Sequence, residues 1–134
     1  MRQRTLALLA LGIGVFMAGT PLLAHHSFSA EYDPAKPVKY KGIVTKVDWM
    51  NPHVLFYIDV ADDSGKVFNW ACEMGPPTAL LRGGWTKNAM KIGDEVIVDG
   101  TLAKDGAKQL NARTVTLAAT GKRLGAGSSQ GVIP

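Results

Sequence analysis

The sequence predicts an all-β fold: a small five-stranded OB-like barrel, with a short helix between strands 3 and 4, preceded by a signal peptide. Three observations predict it. β-rich segments with alternating apolar residues recur along the chain, turn residues separate them, and one proline-initiated helical segment interrupts them. Three meander strands, a helical connection and a hairpin match an OB-type Greek-key barrel, with a simple open meander as the alternative.

Residues 1–24 have the three parts of a secretory signal peptide. A basic start, Met1–Arg4, precedes an apolar run from Thr5 to Gly19. That run is shorter than the ~20 residues that span a bilayer comfortably. The last part, Thr20–Ala24, ends in a small residue that suits the position before the cut. We therefore expect an exported protein whose mature chain begins near His25 and has no stable membrane insertion.

Behind the signal peptide, composition divides the chain into an arm, a barrel domain and a tail. Residues 25–37 carry two prolines and no periodicity, which predicts an extended arm. This arm is either loose or lies on the barrel through Phe28 and Tyr32. The β-barrel domain covers residues 38–117. Residues 118–134 are rich in glycine, serine and alanine, which predicts a flexible tail.

The barrel domain holds five segments with strand patterns and one helical segment. Gly42 is a candidate bend or bulge within the first strand. Along the second strand, Val54, Phe56 and Ile58 lie on one side and His53 lies on the other, which we expect to be less buried. The predicted strands are Val38–Trp49, His53–Val60, Lys66–Glu73, Glu95–Leu102 and Gln109–Leu117, and the predicted helix is Thr78–Arg82.

Charge, cysteine content and motifs exclude several classes of function. The formal net charge of +4 includes Arg2 and Arg4 of the signal peptide, so the mature domain is only mildly basic and no nucleic-acid binder is expected. Cys72 is the single cysteine, which excludes an intramolecular disulfide and favours a buried, inert thiol. Asp62 and Asp63 are typical of a hairpin turn. Without a nucleophile elbow or phosphate loop, the chain is not expected to be an enzyme.

The three histidines, His25, His26 and His53, are the candidate metal ligands. If cleavage follows Ala24, His25 supplies both an α-amine and a ring nitrogen, which close a chelate ring on a divalent metal. His26 or His53 adds a second imidazole, and nitrogen-rich tetragonal sites favour Cu(II). The other interpretation is that the paired histidines do nothing and His53 is an ordinary strand-end residue. A copper-dependent oxidase is disfavoured because no acid/base set accompanies the histidines.

Four aromatic residues form a second candidate surface, because OB-like folds bind oligosaccharides and nucleic acids across a groove. The alternative is that these side chains are core, since aromatics supply much of the burial in a small domain. The candidate ligand-binding residues are Trp49, Tyr57, Trp70 and Trp85.

Several short motifs are spread along the predicted mature chain. They include His25-His26-Ser27-Phe28, Glu31-Tyr32-Asp33, Asn51-Pro52-His53, Asn69-Trp70, Gly84-Trp85-Thr86 and Gly93-Asp94-Glu95-Val96. Together they resemble a family of small secreted bacterial proteins, catalogued as domain of unknown function number sixty-one fifty-two. The likeness spans about residues 25–117, and it implies a bacterial, periplasmic protein and supplies no activity.

Two functions remain open from the sequence. The first is a periplasmic binding or accessory module that captures or delivers copper through His25, His26 and His53. The second is a metal-free OB-like module that binds a glycan, a peptide or a partner protein through its aromatic face.

Overall fold

The computed structural model describes residues 28–128, and it confirms a mostly β fold with only short helices. Residues 1–24, predicted as a signal peptide, lie outside the described range. Within that range no helix is long and apolar enough to cross a membrane. In chain order the elements are α1 (Phe28–Glu31), β1 (Tyr32–Asp48), β2 (Leu55–Ala61), β3 (Val67–Glu73), α2 (Pro77–Arg82), β4 (Glu95–Ala103), β5 (Gln109–Leu117) and β6 (Arg123–Gly125).

The strands close into a ring whose connectivity resembles the predicted OB-like order. β1 pairs antiparallel with both β2 and β4, and β2–β3 and β4–β5 are also antiparallel. A parallel pairing of β3 with β5 closes the ring. The ring is not a regular barrel, because this closure rests on three residue pairs: Ala71–Gln109, Cys72–Leu110 and Glu73–Asn111.

β1 is longer than predicted, at 17 residues, and it takes in most of the described part of the arm. Tyr32 pairs with Ala103 of β4 and is only 1% exposed. The arm is therefore not a separate loose segment from Tyr32 onward. Gly42, the candidate bend, lies at a point in β1 where β1 and β2 pack closely. A Cβ there would sit 2.6 Å from the carbonyl oxygen of Asp59, so only glycine fits.

The core fills the inside of the ring, and the predicted inward side of β2 is confirmed. Val54, Phe56 and Ile58 are fully buried, whereas His53 and Tyr57 on the other side are partly exposed. This follows from the period of two along a strand, which places alternate side chains on opposite faces.

A sixth strand lies where the sequence predicted only a flexible tail. β6 pairs antiparallel with β5, and within this segment Leu124 is 7% exposed and Ala126 is fully buried. The Trp85 indole N–H donates to the carbonyl oxygen of Gly125 at 2.8 Å and ties β6 to the connection after α2. A three-residue strand among glycines shows too little alternation for the pattern to be recognised.

Candidate functional site around His53

His53 lies just before β2, after the cis peptide bond between Asn51 and Pro52. Its Nδ1 is 3.1 Å from the carbonyl oxygen of Met74 and 3.7 Å from Oε1 of Glu73. A carbonyl oxygen only accepts, so Nδ1 is the donor, and in the neutral ring this leaves the lone pair on Nε2. The side chain is 43% exposed, and Nε2 has no hydrogen-bond partner among residues 28–128. Histidines that ligate metals are held in this way, through the other ring nitrogen.

A chain of polar side chains runs from Glu73 into the protein, where three strands meet. The Tyr32 hydroxyl donates to Oε2 of Glu73 at 2.9 Å, and the Gln109 amide donates to the Tyr32 oxygen at 2.7 Å. Asn111 adds a longer contact to Oε1 of Glu73 at 3.4 Å. Burial, with a smaller contribution from the Glu73 charge, raises the pKa of Tyr32 well above its usual value. The phenol therefore stays protonated at neutral pH and serves as a donor.

The first described residues lie against this same cluster. The Phe28 ring stacks on the Tyr32 ring, with centroids 5.6 Å apart and planes inclined by 14°. Lys104 holds α1 from the other side, since its backbone N–H donates to Glu31 O at 2.9 Å and its ammonium to Ser29 O at 2.5 Å. The backbone from Phe28 onward, which follows His25 and His26 in the sequence, is thus fixed beside the Tyr32–Glu73–His53 chain.

Of the three predicted metal ligands, only His53 belongs to the described structure; His25 and His26 lie outside it. Within residues 28–128, no group of three or more His, Cys, Asp or Glu side chains is arranged to hold a metal ion. The sequence alone does not distinguish Glu73 from the other carboxylates of the chain. Its selection comes from the register, since β3 places it opposite Leu55 at the start of β2.

Cys72 is buried, as the sequence predicted, and burial raises the pKa of its thiol. Its side chain is fully enclosed in the core, which leaves a neutral, inaccessible sulfur at neutral pH.

The four predicted aromatic residues do not form one groove, which corrects the expectation of a shared surface. Trp85 is 2% exposed and belongs to the core. Trp49 is partly buried and packs against the core cluster that contains Trp85, Met74 and Met90, and its buried indole N–H has no partner among the described residues. Both side chains contribute to the hydrophobic core, which is the alternative interpretation given for them in the sequence analysis.

Tyr57 and Trp70 lie on opposite faces of the β2–β3 hairpin. Trp70 is paired with Ile58, whose side chain points inward, whereas Tyr57 is one position away and faces outward, 5.2 Å below the ammonium of Lys46. Trp70 instead meets Tyr40, with ring centroids 4.7 Å apart. Sequence reasoning missed Tyr40 as its partner, because β1 and β3 are not adjacent in the ring and no local pattern joins them.

Comparison with known proteins identifies one family. The model described as "Family of unknown function (DUF6152)" matches residues 14–111. No curated protein and no solved structure is a match to the chain.

Proposed function

The chain belongs to the DUF6152 family of unknown function, and from the geometry around His53 we propose that it is an exported, periplasmic module that binds copper through His25, His26 and His53. One observation carries this proposal. The free Nε2 of His53 and the Phe28–Tyr32 stack lie at the two ends of one contact chain through Glu73.

Chain geometry supports completion of the site from the amino terminus. His26 is two residues before Phe28, and an extended chain spans at most about 3.6 Å per residue. Its Cα is therefore within about 7 Å of the Cα of Phe28, which the Tyr32 stack positions. Cleavage after Ala24 would place a free amine on His25, and three nitrogen donors of this kind favour Cu(II) over the other common divalent ions.

The proposed role is capture or delivery of the metal rather than turnover. Glu73 is already bonded to Tyr32 and contacts His53, so it orients the ligand instead of serving as a free base. Copper capture needs only the donor set and an accessible position, and the 43% exposure of His53 supplies access.

The test compares three forms of the mature protein by Cu(II) competition titration and electron paramagnetic resonance. The form that begins at His25 should bind tightly with a nitrogen-rich spectrum. A form with one alanine before His25 loses the amine chelate, and His53→Ala loses a ring nitrogen; each should bind at least about 10-fold more weakly, as for loss of a supporting group at a metal site. Thermal unfolding of the metal-free forms controls for misfolding. Equal affinity of all three forms would refute the proposal.

Binding of a glycan, peptide or partner protein by Trp49, Tyr57, Trp70 and Trp85 together is the weaker candidate. Trp85 lies in the core, Tyr57 lies on the outer face of β2 and Trp70 lies on the inner face of β3. The four side chains therefore cannot contact one ligand as a set.

A further inference from the structure

An open cleft of about 460 Å³ lies at the end of the β2–β3 hairpin that is farther from His53. We call it the hairpin cleft, and its floor consists of Tyr40, Phe68 and Trp70. Phe68 pairs with Val60 and Trp70 with Ile58, so both rings lie on the inner face where the ring of strands opens. Tyr40 and Trp70 meet at 49°, and all three side chains are half-buried. Aromatic faces are thus presented at an accessible surface.

Lys108 lines this cleft and Lys66 contacts the Phe68 ring, and neither has a carboxylate partner among the described residues. The ammonium of Lys108 lies 4.0 Å from the centre of the Phe68 ring and 5.3 Å from that of Trp70. Lys66 approaches the Phe68 ring to 5.0 Å. Neither lysine forms an ion pair with any residue between 28 and 128, whereas Lys39 and Lys41 at the edge are paired with carboxylates of β4. Positive charge is therefore available directly above the aromatic floor.

Two carboxylates, Asp62 and Asp63, also line the cleft and offset part of this charge. Asp62 and Asp63 lie in the β2–β3 turn. The Asp62 side chain accepts bonds from the Ser64 hydroxyl and from the backbone N–H groups of Ser64 and Lys66, so it is engaged in closing the turn. These bonds lower the pKa of Asp62 and hold its carboxylate group at the turn.

We propose that the hairpin cleft binds small organic anions that carry a flat aromatic ring, with an aromatic carboxylate as the ligand class. The ring stacks on the Tyr40–Trp70 floor, as aromatic pairs do. The ligand carboxylate forms ion pairs with the ammonium groups of Lys66 and Lys108. These ammonium groups then give up their contacts with the aromatic rings.

The lining favours such a ligand over a sugar. Among the residues that line the cleft there is no Asn, Gln, Ser or Thr side chain, and the neutral hydrogen-bonding side-chain groups are the Tyr40 hydroxyl and the Trp70 indole N–H. A sugar would leave water-bonded hydroxyl groups without partners, at a cost for each one. A flat carboxylate presents one charged end and an apolar body, which is what this cleft accommodates.

The test titrates the copper-free mature chain with 1-naphthoate, followed by amide and indole chemical shifts in nuclear magnetic resonance and by calorimetry. Naphthoate should shift the Trp70 and Phe68 signals, and 1-naphthamide, the neutral analogue, should bind at least about 5-fold more weakly. Lys108→Gln should weaken naphthoate binding by about 5-fold, the value of one exposed ion pair. Lys122→Gln, an exposed lysine outside the cleft, is the matched control and should bind as the native chain does.

Four results would overturn the proposal. Equal binding of the amide would show that charge plays no part, and an equal loss with Lys122→Gln would show that any surface lysine suffices. Tighter binding of trigalacturonate than of naphthoate would identify an acidic sugar as the ligand class instead. Chemical shifts that move elsewhere on the domain would place the ligand outside the cleft.

Discussion

Tyr32 connects the arm, the ring closure and the candidate metal site through a single side chain. Its ring supports Phe28, while its hydroxyl bonds to Glu73 of β3 and accepts from Gln109 of β5. A partly buried carboxylate keeps its charge only where donors surround it, because the desolvation penalty is otherwise large. Tyr32 thus fixes Glu73, which in turn contacts the ring of His53.

Replacing Tyr32 with phenylalanine should destabilise the domain measurably. The change removes the bonds to Glu73 and Gln109 while it preserves the ring, so we expect a loss of about 1–3 kcal/mol in the free energy of unfolding. Tyr57→Phe is the matched control, because the Tyr57 hydroxyl bonds to no described residue. It should change stability by less than about 0.5 kcal/mol. Urea unfolding measures both, and equal effects would mean that the hydrogen-bond chain contributes nothing.

Cys72 predicts how stability depends on alkaline pH. Burial raises the pKa of its thiol in the folded state, so above the unfolded value of about 8.5 the folded chain keeps a proton that the unfolded chain loses. Folding stability from this group is therefore complete below about pH 8 and falls as the pH rises. By pH 10 the loss should reach about 2 kcal/mol.

Cys72→Ala isolates this effect, although the smaller side chain lowers stability at every pH. Unfolding free energies of both chains between pH 7 and pH 10 should converge as the native chain loses the thiol contribution. Parallel curves would contradict a buried neutral thiol. Disulfide-exchange labelling adds an independent measure, because Cys72 should react only after the chain unfolds.

At the scale of elements, β6 makes more contacts with the rest of the fold than a strand of three residues would suggest. The Gly75 N–H donates to the oxygen of Ala126 at 2.8 Å, and the Ala126 N–H donates to that of Arg113 at 2.9 Å. With the Trp85 indole bond to Gly125, these contacts join β6 to three other parts of the chain. The strand therefore closes the core over α2 and the segment that follows it.

Leu124→Ala and Leu81→Ala test this role with the same chemical change at different burial. Leu124 is 7% exposed, so its truncation should cost about 2–3 kcal/mol of unfolding free energy through lost burial and a residual cavity. Leu81 of α2 is 51% exposed, and its replacement by a good helix former should stay within about 0.5 kcal/mol. If denaturant midpoints shift equally for both variants, β6 is not part of the cooperative core.

The same elements show which parts of a fold local sequence can predict. β5 was predicted with its observed bounds, Gln109–Leu117, because alternation over nine residues is a strong local signal. β1 was predicted to begin six residues too late, because Pro34 and Pro37 argue against a strand at an internal position. They are tolerated where the register between β1 and β4 shifts, a property of the partner strand rather than of the proline-bearing segment.

At the scale of the whole molecule, closure of the ring decides which residues meet. His53 was a candidate from residue type and position alone, whereas its contact with Glu73 depends on the β2–β3 register and the link to Tyr32 depends on closure of the ring. The aromatic residues are also placed by strand pairing, since Trp70 lies opposite the inward-facing Ile58 and Tyr57 lies opposite Ala71. Local periodicity predicts strands, while the site depends on non-local register.

The ring also separates the two proposed sites, and this separation makes them independent. His53 precedes the first residue of β2 and the hairpin cleft includes its last residue, Ala61. Seven strand residues at about 3.3 Å each place the sites roughly 20 Å apart. Sites this far apart that share no partners have additive energies. His53→Ala should therefore leave naphthoate affinity within about 2-fold of native, and Lys108→Gln should do the same for Cu(II). A rigid β2–β3 pair at this distance offers no shared contact through which the two ligands could interact. A larger cross-effect in either titration would therefore mean that copper binding changes the conformation of the whole hairpin.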